Sequence, residues 1–292
     1  MIKKFSLPDY YNKGKYILDL SFYMKNNSDK FYSDRIIDSA YGAHPSLLWT
    51  GGRFITDQYA MLMSDVLHEF NKIPEIKLHH VCTNLLMTPE LVTDYKSNYF
   101  FLHYIRSEDK AIIAHPLLID HFKYNYPKIS LIYSTTMNIK DIETVNEITK
   151  KNIYVLNYNY NYNDIYIKQL LYPNNIEVLC GEPCILNCPN REKHYKEISK
   201  IALQINEGIY TCPYEVEKYT ADEILSLPHA MTNERIDQLS EMGIQYFKIS
   251  GRSLDLPNWL AIILYYLALP EHREKIFFQL LRNWYMEDNL SK

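Results

Sequence analysis

Residues 129–157 decide the fold. Ile129-Ser-Leu-Ile-Tyr133 is apolar almost throughout. Ile139 to Lys150 then carries apolar residues at Ile142, Val145 and Ile148, and Ile153-Tyr-Val-Leu-Asn157 is apolar again. The middle piece has the spacing of an amphipathic helix, and the outer two read as parallel strands buried on both faces. Working outward, the same beat recurs. Further strands are predicted at Tyr16-Ile-Leu-Asp-Leu20, Leu47-Leu-Trp-Thr50, Ile76-Lys-Leu-His-His-Val81, Ala111-Ile-Ile-Ala114, Ile176-Glu-Val-Leu179 and Tyr246-Phe-Lys-Ile-Ser250. Helical patterns fall at Asp57 to Phe70, with Tyr59, Met63, Val66, Leu67 and Phe70 on one face, and at Asn233 to Met242, opened by an Asn or Thr cap. Strands alternating with helices over 292 residues predict an α/β protein, a (β/α)8 TIM-like barrel, with a doubly wound open sheet as the alternative. The stretch from Cys180 to Gln245 is far longer than an ordinary crossover. It reads as a cysteine-bearing functional insertion, 180–245, between strands seven and eight of one barrel domain spanning 1–292.

Composition excludes several classes. An apolar share of 47% is ample for a core, and 31 basic against 35 acidic residues give no general pull toward nucleic acid or an anionic membrane. The longest strongly apolar run, Trp259 to Leu269, is too short to span a bilayer, and Met1-Ile-Lys-Lys-Phe-Ser-Leu-Pro8 lacks the apolar stretch of a signal peptide. A cytoplasmic protein is expected. Only 8 residues are glycine, with none between Gly52 and Gly181, and no phosphate-cradling fingerprint is present. The 27 tyrosines are read chiefly as codon bias. No Gly-x-Ser-x-Gly elbow or His-Glu-x-x-His helix supports proteolysis.

Chemistry in such a barrel belongs at the C-terminal ends of the strands. Those ends carry Arg53, Cys82 with Asn84, His115, Ser134, Asn157, Cys180 with Glu182, and Arg252. Arginine suits a carboxylate or phosphate because its fork engages two oxygens, so Arg53, Arg191 and Arg252 are candidate anion ligands. Asn84, His115 and Asn157 join Arg53 and Arg252 as candidate substrate contacts. His115-Pro116 also suits a helix start. Glu182 is a candidate general base, with His194 and Arg191 as further catalytic candidates. The run Asn157-Tyr-Asn-Tyr-Asn-Tyr-Asn163 reads as loop filler or as a stacking surface for a planar substrate. His79 and His80 alternate faces on a strand, so they do not share one metal.

The cysteines are Cys82, Cys180, Cys184, Cys188 and Cys212. An odd count in a cytosolic chain argues against a disulfide framework. Cys180-x3-Cys184-x3-Cys188, with Cys212 following, suits an iron–sulfur cluster, whose thiolates come from separated parts of a chain, better than zinc, which prefers two close pairs. Buried small apolar residues are the plain alternative.

Glu182-Pro-Cys184-Ile-Leu-Asn-Cys188-Pro-Asn-Arg191-Glu-Lys-His194-Tyr195 resembles a motif of the collagenase-like peptidases, the U-thirty-two family. Gly243-Ile-Gln-Tyr-Phe247-Lys248-Ile-Ser-Gly251-Arg252 is similar to that family's closing strand, and Ala114-His-Pro116 and Tyr126 to Thr135 are similar to its middle strands. The resemblance implies a barrel holding an oxygen-sensitive 4Fe-4S cluster on four cysteines. It further implies a role in oxygen-independent hydroxylation of RNA or quinone precursors, in which prephenate is the implicated oxygen donor. Carried across, Cys184, Cys188 and Cys212 look like ligands, with Cys82 the expected fourth because it closes strand three at the mouth, and Cys180 the alternative. Gly181 departs from the pattern, since relatives often have Asn there. The sequence also lacks the extension of the RNA-modifying members, so a small-molecule substrate, anionic or aromatic, is expected rather than RNA. Three functions follow: a 4Fe-4S hydroxylase-like enzyme, a non-catalytic accessory subunit, or a peptidase. The family's heteromeric pairs imply a second related subunit or a homodimer. The segments Trp259 to Leu269 and Phe277 to Tyr285 offer an interface, with barrel packing as the default.

Overall fold

Eight parallel strands close on themselves in chain order. They are β1 (Lys3–Pro8), β2 (Arg35–Gly42), β3 (Lys77–Cys82), β4 (Lys110–Ile113), β5 (Ser130–Tyr133), β6 (Ile153–Val155), β7 (Ile176–Cys180) and β8 (Tyr246–Ile249). The structure is a computed structural model that describes residues 1–44, 46–51, 63–205, 212–213 and 219–290. The barrel shuts where β1 pairs with β8, Phe5 beside Phe247 and Ser6 beside Lys248. The helices among the described residues are α1 (Tyr10–Asn26), α2 (Met63–Phe70), α3 (Pro89–Val92), α4 (Tyr95–His103), α5 (Pro116–Asn125), α6 (Ile142–Thr149), α7 (Asp164–Ile167), α8 (Arg191–Ala202), α9 (Ala221–Leu225), α10 (Asn233–Glu241), α11 (Leu256–Leu267) and α12 (Arg273–Leu290). The stretch read as an insertion carries α8, α9 and α10, and α10 is capped by Thr232, which accepts from the Arg235 amide.

Strand side chains alternate between two cores, as the pleat requires. Phe5, Leu7, Leu78, Ile113, Val178 and Phe247 face the helices, while Val81, Ile112, Ile132, Val155 and Leu179 fill the barrel. The inner wall is divided. Strands β4 to β6 give it Ile112, Ile132 and Val155, with Lys110 of β4 beside His79, whereas β7, β8, β1, β2 and β3 contribute Glu177, Lys248, Ser6, Tyr41 and His79, all five buried.

Two expected strands are corrected. Tyr16 to Leu20 lies inside α1, and Leu47 to Thr50 lies in the loop after β2. The first run is rich in β-forming residues, but its buried positions Gly14, Ile17, Leu18 and Ser21 have helical spacing, and Asp9 caps the helix through the Asn12 amide. The second is apolar because Trp49 packs on Phe101 and Phe122 in the helix layer and donates to the Leu91 carbonyl at 2.9 Å. The true β1 and β2 begin with Lys3-Lys4 and Arg35, and their inward positions are polar. The other six strands stand where the sequence put them, and α2 covers the described part of the Asp57 to Phe70 pattern. Arg53 and the part of that pattern from Asp57 to Leu62 fall outside the described residues.

The C-terminal helices are used by the barrel. Trp259, Leu260, Ile262, Ile263 and Tyr266 of α11 are buried, and Trp259 donates to the Pro8 carbonyl at 3.0 Å. On α12, Ile276, Leu280 and Trp284 are buried, while Phe278, Tyr285 and Met286 are exposed. Among the described residues no helix is long and apolar enough to cross a membrane.

Two outcomes follow from this packing. Phe5 and Phe247 are fully buried with ring centroids 5.4 Å apart across the closing seam. Phe247→Ala is therefore expected to cost about 3–5 kcal/mol in denaturant unfolding, and a loss under ~1 kcal/mol would show that the seam does not carry the fold. In the loop after β2, His44 Nδ1 accepts from the Ser46 amide at 3.2 Å, and its carbonyl accepts from Thr50 Oγ1 at 2.7 Å. Burial, with His80 nearby, pushes the His44 imidazole down to about 4. A depressed histidine favours the fold fully above its unfolded value of ~6.5 and loses that contribution as pH falls toward 4. Wild type is expected to lose up to roughly 3 kcal/mol more stability than His44→Gln across that window, and parallel curves would refute the assignment.

Candidate active site at the barrel mouth

The C-terminal end of the barrel opens into a pocket of about 100 Å³. That is small beside the ~300–1,000 Å³ of ordinary ligand sites and suits a metabolite rather than a peptide strand. Its floor is Val81, Ile112, Val155 and Leu179, with Tyr41 and Lys248 completing the ring. Lys248 Nζ stands 3.5 Å from Glu177 Oε2 and 3.9 Å from the Tyr41 ring centroid. The Arg252 guanidinium lies 5.6 Å from the same ring. Tyr41 is fixed by donating to the Ile249 carbonyl at 2.8 Å. Burial lowers the Lys248 ammonium below the ordinary lysine range, Arg252 adds to this, and Glu177 opposes it. Burial likewise holds His79 neutral, with Lys248 and Lys110 repelling its charged form. Ser6 Oγ, both His79 nitrogens, Glu177 Oε2 and Lys248 Nζ have no hydrogen-bond partner within the protein.

The rim is tied together by Glu182. Its Oε1 accepts from the Cys184 amide and its Oε2 from Ser250 Oγ, both at 3.2 Å, so it braces the loops after β7 and β8. Gly181, just before it, has φ +67. That is the left-handed region, which Gly adopts more readily than other residues. Arg191 is buried where α8 begins. It donates to Asn157 Oδ1 at 3.3 Å and Thr135 Oγ1 at 3.1 Å, and lies 4.4 Å from the Tyr158 ring. The Asn–Tyr run is structural bracing: Tyr158 donates to the Ile185 carbonyl at 2.5 Å, Asn159 Oδ1 accepts from the Asn187 amide, and Asn161 donates to the Leu179 carbonyl at 2.8 Å.

The sequence candidates separate accordingly. Arg252 and Glu182 line the pocket; Arg191 and Asn157 meet beside it and line a second depression with Cys188. Asn84 is fully buried, donating to the Leu48 carbonyl and accepting from the Leu86 amide, which makes it a loop brace. His115 caps α5 through the Leu117 amide, with Pro116 in the first turn, so the helix-start reading holds. His194 is half-buried on α8 with its ring stacked against Tyr195. Arg53 lies outside the described residues. His79 and His80 do diverge: His80 turns outward to the Tyr10 hydroxyl at 2.7 Å and toward Asp109. Tyr41, Glu177 and Lys248 were missed as site residues. For Glu177 and Lys248 the signal was a charge in the middle of Ile176-Glu-Val-Leu and of Phe247-Lys-Ile, strands otherwise apolar; Tyr41, on a strand the sequence did not reveal, had none.

All five cysteines are free thiols. Cys184 belongs to the inner-barrel cluster and Cys188 packs against it, whereas Cys82 and Cys180 belong to the outer core with the helices. Val81 and Leu179, their neighbours, take the inward positions, so the expectation that Cys82 points into the mouth does not hold. Burial raises both outer thiols far above the ordinary range. Cys212 is buried. Among the described residues no group of three or more His, Cys, Asp or Glu side chains is arranged to hold a metal ion. Cys82 and Cys180, the two candidates for a fourth ligand beside Cys184, Cys188 and Cys212, both face the helix layer.

No family model and no curated protein matches this chain. Among solved structures, that of the U32 peptidase Mk0906 superimposes with a TM-score of 0.55 at 13% identity, covering 86% of this chain and 94% of the other. The likeness shows the shared barrel fold.

The cysteine geometry predicts an order of reaction. In native protein an alkylating reagent followed by peptide mass spectrometry should label Cys188 first, since it is the one cysteine not fully buried. Cys82 and Cys180 should stay unlabelled until denaturant is added. Native labelling of Cys82 ahead of Cys188 would contradict their assignment to the outer core.

Proposed function

We propose that the chain is a barrel protein that binds a small carboxylate-bearing or aromatic molecule at the C-terminal mouth and acts on it there. The observation that carries this is the pairing of an apolar floor with two cations, Lys248 and Arg252, flanking the Tyr41 ring. An anion entering such a site meets charge in a low-dielectric setting, where each charge-assisted hydrogen bond is worth ~1.5–3 kcal/mol. The aliphatic floor and the Tyr41 ring favour a flat or apolar body behind the anionic group. Glu182 and Arg191 hold the rim loops in position, which keeps the pocket preorganised.

A second reading is an iron–sulfur barrel serving oxygen-independent hydroxylation. One observation favours it: Cys184 and Cys188 both pack on the inner-barrel cluster. It requires Cys212 and a fourth thiolate from Cys82 or Cys180, both of which pack in the outer core. Anaerobic purification with iron and sulfide analysis separates the two readings, because the first needs no iron for ligand binding and the second needs about four irons per chain. A proteolytic role draws no support from the small pocket.

Thermal-shift titration with phenylpyruvate, benzoate and benzyl alcohol tests the first reading. The two carboxylates should bind and the alcohol should not. Arg252→Ala should weaken carboxylate binding about tenfold to a hundredfold while leaving the far-ultraviolet spectrum unchanged. Equal binding of acid and alcohol, or an Arg252→Ala variant indistinguishable from wild type, would sink the proposal.

A further inference from the structure

We propose that Lys248 is a covalent nucleophile: its amine forms an imine with the carbonyl carbon of a small anionic aldehyde or ketone, such as a 2-oxo acid, seated in the mouth. The inference deepens the anion-binding reading and rests on it. Three observations on geometry carry it. Lys248 is the basic side chain in a floor otherwise made of Val81, Ile112, Val155, Leu179 and Tyr41. Its Nζ is buried without a hydrogen-bond partner in the protein, and its ion pair with Glu177, at 3.5 Å, is longer than a hydrogen bond. A second cation, Arg252, shares the same ring face region. A lysine becomes a nucleophile when an apolar pocket desolvates it or a neighbouring cation disfavours its charge, and here both conditions meet. The depressed ammonium of Lys248 agrees with this.

The groups around the amine have distinct parts to play. From β7, Glu177 is the carboxylate within reach to take the ammonium proton. Tyr41 on β2 lies under the amine, and its hydroxyl is committed to the Ile249 carbonyl. His79 on β3 and Ser6 on β1 are the unpartnered polar groups of the same inner wall, and Lys110 on β4 adds positive charge near His79. Arg252 at the rim orients the anionic group. In the reaction, Glu177 accepts a proton from the ammonium, and the freed amine attacks the carbonyl carbon. A C–N bond forms, the carbonyl π pair moves to oxygen, and that oxygen takes one proton from the newly bonded nitrogen, which regains its lone pair. The hydroxyl then leaves as water with a proton returned by Glu177, and the nitrogen lone pair closes the C=N bond. The sum is an ammonium and a carbonyl giving an iminium and one water, with no oxidant or reductant consumed.

Reductive trapping tests this without knowledge of the natural substrate. The purified chain is incubated with pyruvate, or with acetaldehyde as the uncharged control, and sodium borohydride is added. Intact and peptide mass spectrometry then read the adduct. The expected result is one reduced pyruvate per chain on the peptide carrying Lys248, saturating at a concentration at least tenfold lower than acetaldehyde requires. Lys248→Arg, which keeps the cation and cannot form an imine, should show no adduct; Lys248→Met gives the same readout if Arg disturbs folding. Glu177→Gln should retain the site but label at least tenfold more slowly, in line with a lost acid–base partner. No adduct on wild type, or labelling spread over other lysines and undiminished in Lys248→Arg, overturns the imine. If phenylpyruvate and benzoate bind in an Arg252-dependent way while no adduct forms, the imine fails and the anion-binding reading stands. If neither binding nor adduct is found, both fail.

Discussion

The pairing of β1 with β8 is the constraint on which the mouth depends. It brings Ser6 beside Lys248, whose Nζ stands 3.5 Å from Glu177 Oε2 on β7. In an open sheet β1 and β8 would be edges, and Lys248 would stand beside water. Closure removes water from the inner wall, so the same side chains become charges in a low-dielectric interior. The stacked Phe5 and Phe247 rings on the outer side of the seam supply apolar burial that offsets this desolvation.

The inner wall is not built for stability alone. Unpartnered buried polar groups cost ~1–3 kcal/mol each, and Ser6, His79, Glu177 and Lys248 gather theirs on one half of the barrel. From β4 to β6 the wall is chiefly aliphatic, with Ile112, Ile132 and Val155. Local violations of packing rules that cluster beneath a pocket are where function is expected to reside. The pocket above them has its rim held by Glu182, and the depression beside it is held by Arg191, so the cationic floor faces a shaped opening.

The cysteine loop shows how a sequence motif and its geometry diverge. Cys184 and Cys188 lie in a loop braced by Tyr158, Asn159 and Arg191, and so the Asn–Tyr run that looks like compositional filler acts as scaffolding. Cys82 and Cys180 occupy strand ends one residue past inward-facing neighbours. A one-residue step on a strand exchanges the barrel interior for the helix layer. Spacing along the chain carries no information about that choice once the register is unknown.

Six of the eight strands, the barrel class and the rim position of Arg252 and Glu182 were legible in the sequence, because strands buried on both faces write nearly continuous apolar runs such as Ile129-Ser-Leu-Ile-Tyr133 and Ile176-Glu-Val-Leu179. The first two strands were not legible. Their inward positions are polar, and the more apolar runs nearby, Tyr16 to Leu20 and Leu47 to Thr50, serve a helix and a packed loop instead. Asn84 and His115 stand just past strand ends as expected, yet tertiary contacts commit them to bracing and capping. Only the closed barrel decided that Lys248, Glu177, Tyr41 and His79 share one interior. They come from four strands spread across most of the chain, and nothing local in any one of them specifies which face its side chain will meet.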